Sequence, residues 1–338
     1  MFINRGKPAL VLAPMDGVTD ALMRRLLTRR MPFSYCVTEF IRVSGLVPPE
    51  RTFLLDMPEL RHGSSTASGA PVQVQLLGGD PERLAESAAR AARLGATGID
   101  LNFGCPAPTV NKHDGGATLL KFPERVERIV SAVRSAVPVE LPVSAKLRLG
   151  WDDPRAIHVN AQRAARGGAS WITIHGRTKM QGYTPPAYWE PIGEVRRNLD
   201  IPVVANGELW SVDDLRRCQD QSGCEHFMVG RGALAEPGLV TELAIALGMG
   251  VADQHVTRCD GDALRWRPLL VEMIGLSHDA GEGERLTISR VKQWLNYARH
   301  KGTVRWFDSL KRLESLESIR AHIDELAALS SEGERRAA

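Results

Sequence analysis

The sequence predicts an α/β fold, a (β/α)8 TIM barrel followed by a small all-helical C-terminal domain. Three observations carry this. Eight short apolar runs rich in β-branched residues alternate with amphipathic helical segments over about 245 residues. Polar side chains close several of those runs at their C-terminal ends. After Gly248-Met249-Gly250 the strand signal stops and only helical periodicity continues.

The strands are predicted at Ala9–Ala13, Tyr35–Thr38, Pro71–Leu76, Gly98–Leu101, Pro142–Leu147, Trp171–His175, Pro202–Asn206 and His226–Val229. Helical patterns separate them, the clearest at Pro81–Leu94, Pro123–Ala136, Arg155–Arg166 and Val212–Asp220. Pro81 and Pro123 stand in first helical turns, where the missing N–H costs nothing. Near-continuous apolar strands separated by helices argue for a parallel sheet covered on both faces. An open doubly wound sheet is the competing fold. Gln75, Asn102, Lys146, His175 and Asn206 each end a different strand. A closed barrel gathers those ends around one mouth, whereas an open sheet strings them along an edge. The C-terminal helices are expected at Leu264–Asp279, Leu286–His300, Val304–Leu313 and Leu316–Leu329, which divides the chain into 1–248 and 249–338.

Composition narrows the class. The 338 residues suffice for a large core domain and a smaller second one. Apolar content of 43% with 25% charge is that of a soluble globular protein, and a net charge of +3 demands no polyanionic partner globally. Five cysteines without a Cys-x-x-Cys pair argue against a disulfide framework or structural zinc, so no metal site is expected and a cytoplasmic location fits. No apolar run approaches the ~18–20 residues that span a bilayer, so no membrane association is expected.

Several groups at the predicted strand ends carry chemistry. Asn206-Gly207-Glu208 and Gly230-Arg231-Gly232 follow the last two strands, where barrels commonly bind phosphate through glycine-opened backbone and a helix N-terminus. Tight turns alone would also explain those glycines. Lys146 in a barrel mouth calls for an anionic partner such as the pyrimidine edge of a reduced flavin; a lysine snorkelling to solvent is the alternative. His175 suits a cofactor edge or a substrate carbonyl, or is a satisfied core histidine. Gln75 offers donor and acceptor to a pyrimidine-like ring. Pro14-Met15-Asp16-Gly17 could line a flat ring, or Met15 could fill core. Cys105 stands on a loop with Asn102 and three nearby glycines, and reads as a nucleophile or as a general acid. Cys36, Cys218, Cys224 and Cys259 read as small buried hydrophobes.

In order and spacing, Pro14-Met15-Asp16-Gly17-Val18-Thr19-Asp20, Asp100-Leu101-Asn102-Phe103-Gly104-Cys105-Pro106, Lys146-Leu147-Arg148, His175-Gly176-Arg177-Thr178, Asn206-Gly207 and Gly230-Arg231-Gly232 together resemble the tRNA-dihydrouridine synthases. Arg290-Val291-Lys292-Gln293-Trp294-Leu295-Asn296-Tyr297, Thr38-Glu39-Phe40-Ile41-Arg42-Val43 and Gln181-Gly182-Tyr183 are similar to the C-type bacterial subfamily, which acts on the D-loop uridine conventionally numbered 16. Asp16 stands where that subfamily often carries Glu, and Phe103 where it often carries Cys. The resemblance implies FMN against Pro14, Met15, Asp16, Gln75, Lys146 and His175, with its phosphate at Asn206, Gly207, Glu208, Gly230 and Arg231. It implies that Cys105 protonates uracil C5, that Asn102 helps hold the flipped base, and that NADPH reduces the flavin. Arg42, Tyr183, Arg290, Lys292, Tyr297 and Lys311 are then the further tRNA contacts. Residues 285–312 hold eight Lys and Arg against one acid, Asp308, the footprint of phosphate contacts or a solvated charged face. A monomer with no obligatory protein partner is expected. A reductase of small pyrimidines or enones, and a non-catalytic tRNA-binding folding helper, are the alternatives.

Overall fold

The structure, a computed structural model, describes residues 2–250, 262–299, 301 and 304–337. Eight strands form a closed, all-parallel barrel: β1 (Ala9–Leu12), β2 (Tyr35–Arg42), β3 (Val72–Leu77), β4 (Ile99–Asn102), β5 (Val143–Arg148), β6 (Trp171–His175), β7 (Val203–Asn206) and β8 (His226–Val229). Each pairs with its sequence neighbours, and β1 closes on β8 with Ala9 opposite His226 and Leu12 opposite Val229. The barrel, not the open sheet, is therefore the fold. Its strand ends share one mouth, which places the polar residues that end them.

Two helices start at a side-chain cap. Asp80 accepts from the Arg83 N–H at 3.0 Å ahead of Pro81–Arg93, and Ser211 accepts from the Asp214 N–H at 3.1 Å ahead of Val212–Ser222. The N-terminal end of the barrel is closed by aromatic packing. Phe2 lies edge-on to Tyr35 at 5.1 Å and tilted to Trp171 at 5.9 Å, over a cluster that includes Ile3, Val11, Val37 and Met228. Such ring pairs add about 0.5–1.5 kcal/mol each beyond area burial. Gly98 makes room for them, because a Cβ there would stand 2.8 Å from the Phe2 ring.

Two differences from the sequence expectation matter for the site. β2 runs on to Arg42 instead of stopping at Thr38, through a register shift between Val37 and Phe40. The polar pair Thr38-Glu39 interrupts the apolar run, which hid the extension. Glu39 then accepts from the Val18 N–H at 2.9 Å and steadies the loop after β1. In the C-terminal part, the helix expected over Val304–Leu313 is only Phe307–Leu310; the others are Asp262–Asp279, Glu284–Arg299 and Leu316–Ala337. His300 and Cys259 lie outside the described residues.

Packing divides the chain into two compact units, residues 1–21 with 33–230, and residues 22–32 with 231–338. In the second unit Trp266 and Trp294 meet edge-on at 5.2 Å, and the Trp294 indole N–H donates to the Leu234 carbonyl at 2.9 Å. Arg29 pairs with Glu272 at 3.0 Å, and Arg30 Nε donates to the same carboxylate at 2.6 Å. We propose that the catalytic region ends at residue 248, because Arg231–Ala235 and Leu239–Ala246 continue the β/α order after β8. Among the described residues, no helix is long and apolar enough to cross a membrane.

Candidate active site

Residues two apart in a strand face the same side, and three adjacent strands carry polar residues at that spacing: Gln73 and Gln75, Asp100 and Asn102, Ser144 and Lys146. Gln75 pairs in register with Asp100, Asp100 with Ser144, and Asn102 with Lys146. The barrel interior therefore holds one hydrogen-bonded chain. Gln73 donates to the Ser144 hydroxyl at 2.9 Å, and Ser144 donates to Asp100 Oδ1 at 2.5 Å. Gln75 Nε2 donates to Asp100 Oδ2 at 2.7 Å, and Asn102 Nδ2 donates to Gln75 Oε1 at 2.8 Å. Asn102 Oδ1 accepts from the Gly104 and Cys105 N–H groups, each at 2.9 Å.

The polarity of this chain is set by one group. An ionised carboxylate only accepts, so Asp100 forces the Gln75 amide to donate toward it. The Gln75 oxygen must then face Asn102, and the Asn102 oxygen must face the Cys105 loop. Asp100 is 2% exposed, and burial raises its pKa against the opposing pull of Ser144, Gln75 and Lys146. Asp100→Asn frees both amides to flip. We expect the Gly104 and Cys105 amides to exchange hydrogen roughly tenfold faster, the weight of one lost hydrogen bond, with β6 protection unchanged. Hydrogen exchange resolved by peptide checks this; unchanged exchange at 102–106 would remove Asp100 from the account.

Cys105 is half-buried on the loop after β4. Its carbonyl accepts from the Ala117 N–H at 3.1 Å, and a Cβ on Gly116 would press to 2.8 Å of that oxygen. Gly116 also has φ +59°, so glycine is required there twice over. Burial pushes the thiol pKa above its ordinary value. The Ala107 N–H opposes this, Asp16 adds to it, and Arg148 and Lys146 oppose it. A thiol held protonated at neutral pH is suited to giving a proton; attack would need the thiolate.

Lys146 reaches the mouth from β5 and donates to Asn206 Oδ1 at 3.3 Å. Burial and the Arg148 charge lower its pKa to about 8, while Asp100 and Cys105 pull the other way. Asn206 Nδ2 donates to the Met228 carbonyl at 2.8 Å, so its side chain braces Lys146 against β8. His175 is 7% exposed and stands edge-on to Tyr183 at 6.0 Å. The Arg148 guanidinium lies over the Tyr183 ring at 5.1 Å. It also donates to the Gly104 carbonyl at 2.8 Å, Thr178 at 3.1 Å and Gly182 at 2.8 Å, tying the Cys105 loop to the loop after β6.

The loop after β1 is closed by Val18 and Thr19 N–H groups donating to the Met15 carbonyl at 2.9 and 3.0 Å. Pro14 and Met15 are half-buried and Asp16 is exposed. A Cβ on Gly230 would stand 3.4 Å from both Ala13 Cβ and Met15 Sδ, so the glycine lets the loop after β1 pack closely on the end of β8. Gly207 has φ +113° and Glu208 φ +57°. The Glu208 carboxylate pairs with Arg177 at 2.8 Å, and Arg177 is fully buried. The Glu208 side chain therefore answers to Arg177. Arg231 follows Gly230 in the chain and opens the helix Arg231–Ala235.

The structure thus brings together Gln75, Asn102, Cys105, Lys146, His175, Tyr183 and Asn206. Arg42 sits at the end of β2, donating to the Thr109 carbonyl at 3.3 Å. In the second unit, Arg290 forms a two-pronged pair with Glu282, at 2.7 Å for the closest contact, and Lys311 pairs with Asp308 at 2.5 Å. Glu282 lies just outside the stretch 285–312, which is why the basic stripe looks freer in sequence than in structure. Lys292 and Tyr297 are half-buried on Glu284–Arg299. Sequence reasoning missed Gln73, Asp100, Ser144, Arg148 and Arg177. The paired polar residues at spacing two were the available signal for the first three.

A sequence profile of the family described as "Dihydrouridine synthase (Dus)" matches residues 11–327. The chain is 43% identical over 324 residues to the tRNA-dihydrouridine(16) synthase of Ralstonia nicotianae, covering 94% of this chain and 96% of that relative. It is 42% identical over 322 residues to the enzyme of the same name from Haemophilus influenzae, covering 94% and 99%. With that of Pseudomonas putida it shares 46% over 288 residues, covering 85% and 86%. A profile match across most of the chain and near full-length relatives at 42–43% identity show that the chain belongs to the dihydrouridine synthase family.

Proposed function

We propose that this protein reduces the C5–C6 double bond of uridine 16 in the tRNA D-loop, with FMN in the barrel mouth and NADPH as reductant. Family membership makes the reaction class a flavin-dependent reduction of tRNA uridine. The three relatives carry position 16 in their names. The observation that carries the reading is the Cys105 thiol, half-buried with its pKa pushed up by burial, on a loop pinned by Asn102 within the same mouth as Lys146.

The donor set fits a flavin. Lys146 offers a cation with N–H groups beyond the one given to Asn206, and Gln75 has a second amide N–H beside the one given to Asp100. When bound and reduced, FMN supplies the hydride that reaches C6. Cys105 Sγ gives the proton to C5. Asn102 uses its remaining Nδ2 hydrogen to hold the uracil, and His175 with Tyr183 walls the ring. The base must leave its stack to enter a barrel mouth. In the helical unit, Lys292, Tyr297 and Lys311 are the proposed tRNA contacts, with Arg290 secondary because its pair with Glu282 is largely buried whereas that of Lys311 with Asp308 is exposed.

Two measurements follow. Purified protein, NADPH and unmodified tRNA should give dihydrouridine at position 16, with one NADPH consumed per product. NADPH oxidation with unchanged tRNA would favour the small-molecule reductase. The lysine sets a pH window as well. Its ammonium predominates below about 8 in the flavin-free protein, so FMN affinity should weaken as pH rises through that value. Flavin fluorescence quenching against pH reads it, and a flat profile would detach Lys146 from the cofactor.

A further inference from the structure

We propose that Lys121, Trp151 and Lys179 form a clamp on the barrel rim for backbone phosphates of the tRNA beside the extruded nucleotide. This rests on the tRNA reading above and adds where the backbone runs over the catalytic unit.

The three residues come from three consecutive strand ends. Lys121 closes the 3-10 helix Gly116–Lys121 after β4, Trp151 follows β5, and Lys179 follows β6. All lie at the end of the barrel that carries Cys105. Lys121 Nζ is 3.8 Å from the centroid of a Trp151 ring, and Lys179 Nζ is 4.4 Å from it. The backbone fixes this grouping: Lys179 N–H donates to the Gly150 carbonyl and Met180 N–H to the Trp151 carbonyl, each at 2.9 Å. The Arg148 guanidinium holds both the Gly104 and Thr178 carbonyls, the residues just before Cys105 and Lys179. The rim cluster and the catalytic loop are therefore tied to one side chain.

Two ammonium groups on one indole repel each other. Each gains about 0.5–1 kcal/mol from the ring at an exposed site, and neither has a carboxylate ion pair among the described residues. Of the acids next in sequence, Asp153 holds Arg155 and Asp152 accepts from the Asp153 N–H. Arriving backbone phosphates lessen the repulsion, each meeting the unused N–H groups of one lysine. Lysine binds phosphate as a point charge, which suits a backbone contact that reads no sequence. Packing of the lysine stems on Trp151 is the competing explanation, and the variants below keep that packing.

The test uses the flavin-loaded protein and the double variant Lys121→Met, Lys179→Met, which keeps apolar stems and removes the charges. Affinity for unmodified tRNA is measured across ionic strength. The slope of log affinity against log salt should fall by about 1.4–1.8, the share of two phosphates. KM for tRNA should rise, with the rate at saturating tRNA and NADPH-driven flavin reduction unchanged. A slope and affinity equal to those of the unaltered protein would overturn the clamp and leave the lysines as packing. Absence of dihydrouridine formation by the unaltered protein would instead sink the functional reading, while the salt slope would still decide the clamp.

Discussion

Cys105→Ala lowers the rate of dihydrouridine formation by about 10²–10⁴-fold, the usual weight of a general acid. Flavin content, NADPH-driven flavin reduction and tRNA affinity stay at their original values. The split follows from geometry. The thiol is half-buried on a loop whose carbonyl is bound by Ala117 and whose N–H is bound by Asn102, so truncation at Sγ leaves the loop held. Stopped-flow measurement separates the two half-reactions: reduction by NADPH is untouched, and reoxidation by tRNA slows. The sign of the pH dependence is fixed too. The thiol pKa lies above its ordinary value, so the acid form persists through neutral pH and is lost only on the alkaline side. Undiminished reoxidation by tRNA in the variant would contradict the assignment.

Arg177→Ala destabilises the barrel by about 3–5 kcal/mol, because it strips a buried ion pair of one member. Arg177 has no exposed surface; it holds the Glu208 carboxylate at 2.8 Å and donates from Nε to the Thr184 carbonyl at 2.7 Å. Without the guanidinium, Glu208 keeps a charge in a largely buried place while its backbone sits at φ +57°. Glu208→Ala should cost a similar amount from the other side, by leaving the guanidinium uncompensated. Denaturant unfolding followed by flavin fluorescence reports the barrel mouth. A loss below about 1 kcal/mol in both variants would show that the pair is worth no more than a surface bridge.

The barrel was legible because its strands are apolar and short, Pro81 and Pro123 mark helix starts, and polar residues mark the strand ends. The β2 extension was not, because Thr38-Glu39 breaks the apolar run just where the strand shifts register. Within the site, Cys105, Lys146 and Asn206 were readable as strand-end residues. Asp100 was not, since a carboxylate amid Ile99 and Leu101 looks like an outward-facing strand residue until β3 and β5 are placed beside it. Glu208 shows the same limit: in sequence it sits with a phosphate loop, and in space its side chain answers to Arg177. Arg290 shows it for the helical unit, where Glu282 comes from the preceding turn. Motif order locates a site, and long-range pairing decides which end of each side chain remains for the ligand.

The central claim is that this protein makes dihydrouridine at position 16 of tRNA. Its most direct test is position-resolved mapping of dihydrouridine in tRNA from cells lacking the gene, beside the same cells complemented with the original gene or with Cys105→Ala. The account predicts loss at position 16 alone, restored by the original gene and not by the variant. Unchanged dihydrouridine at position 16, or loss confined to another position, would contradict it.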